Sequence, residues 1–226
     1  MFIKICANTN LEDARLAAEL GADAVGFVFA SSKRRVTPEH VGEITRELPS
    51  ELAKVGVFTS TDAAEIVQAA KVAGLTAVQL HSAFDPKLVD AIDAGSGSVL
   101  HVVQVVEVPM GMDLERLRAR LTAVLSHPYV LVALLDASHG GLSGGTGKSF
   151  DWERTAAVVR EVQEATGGWV IVAGGLTADN VGEAIEAFAP WGVDVASGVE
   201  ASAGKKDPER LRAFVAAARA AGSRNS

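Results

Sequence analysis

The sequence has one cysteine, few aromatic residues and no long apolar run, and each scarcity removes a class of protein. Cys6, the single cysteine among 226 residues, excludes an internal disulfide and a cysteine-rich zinc site and fits a reducing compartment. No stretch approaches the roughly 20 apolar residues that a membrane-spanning helix needs, and the apolar N-terminal stretch is too short for a signal peptide. We therefore expect a cytoplasmic protein without a membrane partner.

Positive charge is also scarce. The formal net charge is −7, and the clusters of lysine and arginine, at 33–35 and 205–206, are short. This balance argues against nucleic acid and anionic membranes as main partners. An anionic small ligand would need a local positive site.

What the chain has in quantity is aliphatic residues. Apolar residues make up 48% of the sequence and aromatic residues only 5%, so a large aliphatic core can form. A length of 226 residues is close to that of one α/β barrel. We expect one catalytic domain over residues 1–222 and a disordered C-terminal tail at 223–226.

Short β-branched runs alternate with Ala-, Leu- and Glu-rich segments of helical period almost from the first residue, which is typical of repeated βα units. The predicted strands are 2–6, 24–29, 54–58, 76–80, 98–105, 129–135, 169–173 and 193–196. The predicted helices are 11–20, one starting near 38, 62–73, 86–94, 113–125, 151–165, 179–188 and 208–221.

Right-handed crossovers between parallel strands leave two architectures, a closed barrel or an open doubly wound sheet. The count of eight units, and the lack of a Gly-x-Gly-x-x-Gly turn after the first strand, favour the barrel. The predicted fold class is therefore α/β, a single (β/α)8 TIM barrel with a parallel eight-stranded sheet. In this fold chemistry takes place at the C-terminal ends of the strands.

Six polar residues follow or end the predicted strands and would converge on one mouth. They are Cys6, Arg34, Gln79, His81, Asp136 and Asp194.

Cys6 and Asp136 would face each other across this mouth as a base and an acid. Cys6 is either an inert core residue or a thiolate base, which would require a lowered pKa and partial exposure. Asp136 follows seven largely apolar residues and is either a turn or cap residue or a carboxylic acid with a raised pKa that donates a proton.

The other polar candidates keep two interpretations each. Arg34 either pairs with a ligand carboxylate or belongs to a solvated basic loop. Gln79 and His81 lie two apart on a strand and share a face, so both point into the mouth or neither does. His81 can also hold a structural hydrogen bond, and Asp194 can be a buried, satisfied polar group.

Paired glycines indicate a phosphate site. Gly174-Gly175 follows the seventh strand and Ser197-Gly198 follows the eighth, the two loops that bind phosphate in many barrels through backbone N–H groups. The glycine-rich loop 137–149, which includes the site candidate Gly145, does not have the spacing of a nucleotide P-loop. We interpret it as a mobile lid that excludes water.

Segments spread over residues 3 to about 207 resemble phosphoribosylanthranilate isomerases. They are Lys4-Ile5-Cys6, Gly21 to Phe29, Ser32-Lys33-Arg34, Val55 to Phe58, Val78-Gln79-Leu80-His81, Leu135-Asp136, Gly144 to Trp152, Gly174-Gly175-Leu176 and Val193 to Glu200.

The resemblance implies an Amadori rearrangement. Asp136 would protonate the ribose ring oxygen as the ring opens to an imine, and Cys6 would remove a proton from the adjacent sugar carbon to give an enolamine. Arg34 would bind the anthranilate carboxylate, and the two glycine loops the phosphate. Tautomerisation gives the 1-deoxyribulose product, without metal or organic cofactor. The partner is then a small-molecule phosphosugar, and the protein a monomer or a homodimer.

The sequence departs from the family beside the proposed base. The family usually follows its cysteine with Gly-Ile-Thr, whereas this chain has Ala7-Asn8-Thr9. Ser82 and Ala196 also stand where the family usually has glycine and serine. A Cβ at position 7 restricts the backbone, which would narrow the site or require a different loop path.

Two other functions fit parts of this pattern. A related aminoaldose-phosphate isomerase of the histidine pathway would also perform an Amadori rearrangement, but that family resembles two half-barrels with an aspartate where this chain has Cys6. A non-catalytic phosphosugar-binding barrel would accommodate Ala7 and Asn8. Such a protein would need neither Cys6 nor Asp136.

Overall fold

The computed structural model describes residues 1–109, 111–136 and 152–224, which form a closed barrel of eight parallel strands. Each strand pairs with the next in chain order, and the eighth pairs with the first. The strands are β1 Phe2–Ile5, β2 Ala24–Val28, β3 Ala53–Phe58, β4 Ala77–Leu80, β5 His101–Glu107, β6 Val130–Asp136, β7 Trp169–Ala173 and β8 Gly192–Val195. The predicted fold class is confirmed.

A helix follows each strand along the chain. The helices are α1 Leu11–Glu19, α2 Pro38–Thr45, α3 Ala63–Ala73, α4 Pro86–Ser96, α5 Leu114–Leu125, α6 Trp152–Thr166, α7 Val181–Phe188 and α8 Pro208–Gly222. Between β8 and α8 the chain forms a 3₁₀ turn, Ser197–Val199, and an antiparallel pair, β9 Glu200–Ser202 and β10 Lys205–Lys206, which the sequence did not predict. Residues 225–226 of the predicted tail lie outside the described residues.

Capping residues set several helix boundaries where the sequence placed them. The Asn10 side chain accepts a hydrogen bond from the backbone N–H of Asp13 at the start of α1, and Thr37 does the same for His40 in front of Pro38. Gly21, just after α1, has a φ of 91°. A left-handed conformation at this place is a common helix ending.

Several predicted boundaries differ from the observed ones by one to three residues, and two of these differences have a clear physical cause. Strand β5 begins at His101 rather than at 98, because α4 continues to Ser96 and ends at Gly97, whose left-handed φ is 68°. Asp136 lies inside β6, where it pairs with Ala173, because ladder hydrogen bonds continue past the last apolar residue. Strand β6 is buried on both faces except near its start, where Leu131 is 37% exposed.

The core of the described residues has three parts that together fix the position of the mouth. The largest packs between the barrel and the helices, and two smaller clusters fill the barrel interior, one around Leu134 and Ile171 and the other around Val55. At the N-terminal end Phe2 stacks on Trp191, with ring centroids 4.3 Å apart. Polar groups inside the barrel therefore lie toward its C-terminal end.

Candidate active site

Cys6 follows β1 directly and is almost completely buried, with 6% of its surface exposed. Its backbone N–H donates to the carbonyl of Val195 on β8, at 2.8 Å. Its sulfur lies against Gly26 of β2, so closely that a Cβ at position 26 would come within 2.8 Å of Sγ. Glycine at position 26 therefore leaves the space that the thiol occupies.

A buried ion pair lies beside the thiol. Lys4 precedes Cys6 by two residues, so both side chains leave β1 on the same face. The Nζ atom of Lys4 donates to Oδ1 of Asp194 at 2.8 Å, and the two residues are register partners on β1 and β8. Asp194 is thus a buried and satisfied group.

This pair affects the ionisation of Cys6. Burial raises the pKa of the Cys6 thiol, so the structure does not show the lowered pKa and partial exposure expected of a thiolate base. The ammonium of Lys4 acts on the thiol through its charge and a hydrogen bond and limits that rise. Burial works against protonation of Lys4, but Asp194 and Cys6 together raise the pKa of Lys4. The lysine is therefore held as a cation next to the thiol.

Arg34 lies against Glu200 rather than in solvent. Its Nε donates to both carboxylate oxygens at 2.8 and 3.0 Å, and its Nη2 donates to Oε2 at 2.6 Å. Glu200 also accepts from the backbone N–H of Gly204 at 3.1 Å and has Lys206 Nζ within 3.6 Å. Although burial opposes it, these partners lower the pKa of Glu200. Lys33, by contrast, is exposed.

Lys206 connects this carboxylate to the chain at Cys6. Its ammonium donates to the backbone oxygen of Cys6 at 2.5 Å, and its side chain is buried. Burial lowers the pKa of Lys206, against the opposing effect of Glu200. Together with Lys4 and Arg34 it supplies the local positive site that an anionic ligand needs in an acidic chain.

Asp136 ends β6 on the opposite side of the mouth from Cys6, because β7 and β8 separate β6 from β1. It has the same alternation as Val132 and Leu134, which face the barrel interior, and is partly exposed. Its backbone oxygen accepts from Val108 N–H at 2.9 Å. The strand thus directs the carboxylate into the mouth.

Gln79 and His81 share the inner face of β4 and its continuation, but they lie at different depths. Gln79 is 4% exposed, and its Oε1 has no hydrogen-bond partner among the residues that the structure describes. His81 lies at the rim, with Nε2 3.2 Å from Oε1 of Glu107. His81 and Glu107 line a cavity of about 180 Å³, together with Arg120.

The loops after β7 and β8 contact each other. Gly174 and Gly175 have left-handed φ values of 94° and 70°, which favour glycine. At Gly198 an added Cβ would lie 1.9 Å from the carbonyl oxygen of Leu176, so glycine is required for this approach. Ser197 begins the adjoining 3₁₀ turn. Gly145 and the loop 137–149 lie outside the described residues.

The turn after Cys6 keeps a left-handed conformation although it contains no glycine. Ala7 is buried and has a φ of 62°. Asn8 Nδ2 donates to the carbonyl oxygens of Ile5 at 2.7 Å and Gly26 at 3.3 Å, and Asn8 N–H donates to Gly26 O at 2.9 Å. These bonds hold the turn against the conformational cost at Ala7.

Sequence reasoning missed three charged residues of this site: Lys4, Glu200 and Lys206. Lys4 had a detectable signal, since it shares the face of Cys6 within an otherwise apolar strand. Lys206 belongs to a short basic cluster that the sequence does not connect with Cys6, and Glu200 belongs to a segment marked only by the family resemblance. Within the described part of the chain, no group of three or more His, Cys, Asp or Glu side chains is placed to hold a metal ion, and no helix is long and apolar enough to span a membrane.

Comparison with known proteins identifies the family. Residues 3–217 match the family model of N-(5'-phosphoribosyl)anthranilate (PRA) isomerase. The N-(5'-phosphoribosyl)anthranilate isomerase of Pelobacter propionicus is 40% identical over 94% of this chain and 93% of its own length. Two solved structures each cover 97% of this chain and 99% of their own with a TM-score of 0.78. One is a phosphoribosylanthranilate isomerase in complex with reduced 1-(o-carboxyphenylamino)-1-deoxyribulose 5-phosphate, at 35% identity, and the other shows monomers of the dimeric enzyme from Thermotoga maritima, at 33%. This chain belongs to the N-(5'-phosphoribosyl)anthranilate isomerase family.

Proposed function

We propose that this protein isomerises N-(5'-phosphoribosyl)anthranilate to 1-(2-carboxyphenylamino)-1-deoxyribulose 5-phosphate, a step of tryptophan biosynthesis. The observation that carries the proposal is the buried thiol of Cys6 across the mouth from Asp136, with the paired glycine loops on the same rim. Family membership over almost the whole chain supports the same substrate.

In the proposed reaction Asp136 is the general acid and Cys6 the general base. Asp136 gives a proton to the ribose ring oxygen while the C–O bond breaks and the imine forms. The Cys6 thiolate then takes the proton from the neighbouring sugar carbon, and the electron pair moves toward the nitrogen to give the enolamine. The substrate nitrogen acts as the electron sink, so the reaction needs no cofactor.

Arg34 is suited to bind the anthranilate carboxylate. Glu200 occupies the Nε and one Nη2 hydrogen of its guanidinium. The two hydrogens on Nη1 and the second on Nη2 form another edge that matches a carboxylate. Glu200 would thereby orient the guanidinium of Arg34 and leave this second edge available for the ligand.

The loops at Gly174-Gly175 and Ser197-Gly198 would bind the phosphate. Their close contact brings backbone segments from β7 and β8 to one place on the rim. Backbone N–H groups in glycine-rich turns can approach an anion closely because no side chain intervenes. The phosphate would hold the sugar with its reacting carbons between Cys6 and Asp136.

The test is turnover of the fluorescent substrate by the purified protein. We expect loss of substrate fluorescence, no effect of EDTA, and a fall in kcat of about 100-fold or more in Cys6→Ser and in Asp136→Asn. Ser50→Ala, which changes an exposed residue in the loop between α2 and β3, is the control. Ordinary turnover in both site variants would refute the assigned roles. Tight binding of the phosphosugar without turnover in the wild type would favour a non-catalytic barrel.

A further inference from the structure

The Lys4–Asp194 ion pair lies in the interior of the barrel, where burying two charges costs free energy. Lys4 is 1% exposed and Asp194 is 8% exposed. Desolvating two charges costs several kcal/mol per ion, and a buried pair often stabilises a protein no better than apolar residues of the same volume. Aliphatic side chains fill the interior on other strands, as at Val105 of β5 and Leu134 of β6. Stabilisation of the fold therefore does not explain the presence of this ion pair.

We infer that Lys4, held in place by Asp194, is a positioning residue that supplies the positive charge against which the Cys6 thiolate forms. The inference rests on the proposed role of Cys6 as the base. In this role the ion pair favours the thiolate form of the buried Cys6, which is the form that removes a proton.

The charged groups around Cys6 differ in what they contact. On β1, Lys4 acts on the thiol itself, through charge and hydrogen bond. On β8, Asp194 opposes it with a weaker effect of the other sign. On β10, Lys206 bonds to the backbone oxygen of Cys6 and lies near Glu200 of β9. Arg34, which follows β2, is paired with Glu200.

The geometry separates the two members of the pair by function. Asp194 fixes the Lys4 ammonium through a 2.8 Å bond and favours its charged form. Lys4, fixed in this way, does not reach solvent, since only 1% of its surface is exposed. A cation held next to a thiol favours the thiolate, whereas burial alone disfavours it.

Because Cys6 is the single cysteine of the chain, its titration can be followed directly by thiolate absorbance near 240 nm, with Cys6→Ser subtracted as the blank. Four variants are compared with the wild type: Lys4→Met, Asp194→Asn, the double variant carrying both changes, and Lys54→Met. Lys54 is the matched control, a buried strand lysine of β3 whose ammonium bonds to the carbonyl of Pro49, away from the mouth.

The expected order of the titration midpoints is specific to an electrostatic role. Lys4→Met raises the midpoint, the double variant raises it less, and Lys54→Met leaves it unchanged. Asp194→Asn lowers the midpoint, because the amide oxygen still accepts the hydrogen bond of Lys4 while the negative charge that opposes the thiolate is removed. In Lys4→Met we also expect kcat at pH 8 to fall about tenfold or more while KM changes less than about threefold. If Lys4→Met does not fold, because it leaves a buried carboxylate unpaired, the double variant and Asp194→Asn carry the test.

Two results would overturn the inference: a midpoint that does not move in any variant, or one that moves upward in Asp194→Asn as well. The absorbance readout does not use the isomerase reaction. Full activity of Cys6→Ser would therefore refute Cys6 as the base while leaving the effect of Lys4 on the thiol measurable.

Discussion

At the scale of single residues, the turn at Ala7 and Asn8 shows how side-chain hydrogen bonds hold a left-handed backbone that contains no glycine. An alanine with a φ of 62° costs free energy that a glycine would not. Asn8 opposes that cost with three hydrogen bonds to the carbonyls of Ile5 and Gly26. The Asn8 side chain thus holds the left-handed turn in the absence of glycine, and the altered loop path expected from Ala7 stays a prediction.

We predict that Ala7→Gly raises the free energy of unfolding by about 1 kcal/mol, which is the relief at a left-handed position less the added freedom of glycine in the unfolded chain. Urea denaturation measures this. Ala17→Gly, in the interior of α1, is the control and should lower stability by about 1 kcal/mol. Equal losses in both variants would show that the turn stores no conformational cost.

At the scale of elements, the contact between the loops after β7 and β8 is set by one position. Gly198 packs on the carbonyl of Leu176 so closely that no Cβ fits. Because the closest atom is a backbone oxygen, which cannot rotate away as a side chain can, a Cβ at position 198 must displace one of the two loops. The proposed phosphate cradle thus depends on glycine for its shape.

Gly198→Ala is therefore predicted to raise KM by about 10-fold or more, since separating the loops removes backbone contacts to the phosphate, while the chemistry at Cys6 is less affected. Steady-state kinetics measure the split between KM and kcat. Gly182→Ala in α7 is the matched control, because a Cβ at Gly182 meets nothing within 4 Å. An unchanged KM in Gly198→Ala would argue against phosphate binding at this rim.

The eight units could be predicted from sequence because each strand and helix carries its own local periodicity and caps. The charged network of the mouth could not, because its bonds join distant residues. Lys4 and Asp194 are separated by 190 positions, and Arg34 and Glu200 by 166. The β9–β10 pair was also missed, since two- and three-residue strands leave no periodic signal.

At the scale of the whole molecule, an acidic chain concentrates cations beneath one mouth. The net charge is −7, yet Lys4, Arg34 and Lys206 lie around Cys6. Asp194 pairs with Lys4, and Glu200 is shared by Arg34 and Lys206, so these three cations face two carboxylates. The site is therefore positively charged only locally, where low exposure to solvent strengthens its field.

The burial of the thiol gives the whole protein a pH dependence of stability. Because burial raises the pKa of Cys6 in the folded state, the folded protein holds this proton after the unfolded chain, with a thiol pKa of about 8.5, has lost it. Stability associated with Cys6 is thus complete below the unfolded pKa and is lost as the pH rises toward the folded pKa.

We predict that the free energy of unfolding of the wild type, minus that of Cys6→Ser, falls above pH 8.5 by up to about 1.4 kcal/mol per pH unit. Urea titrations of both proteins from pH 7 to 10 measure this difference, and the lysines and the tyrosine that titrate in both cancel. A difference that stays constant over this range would mean that the thiol ionises alike in the folded and unfolded chain.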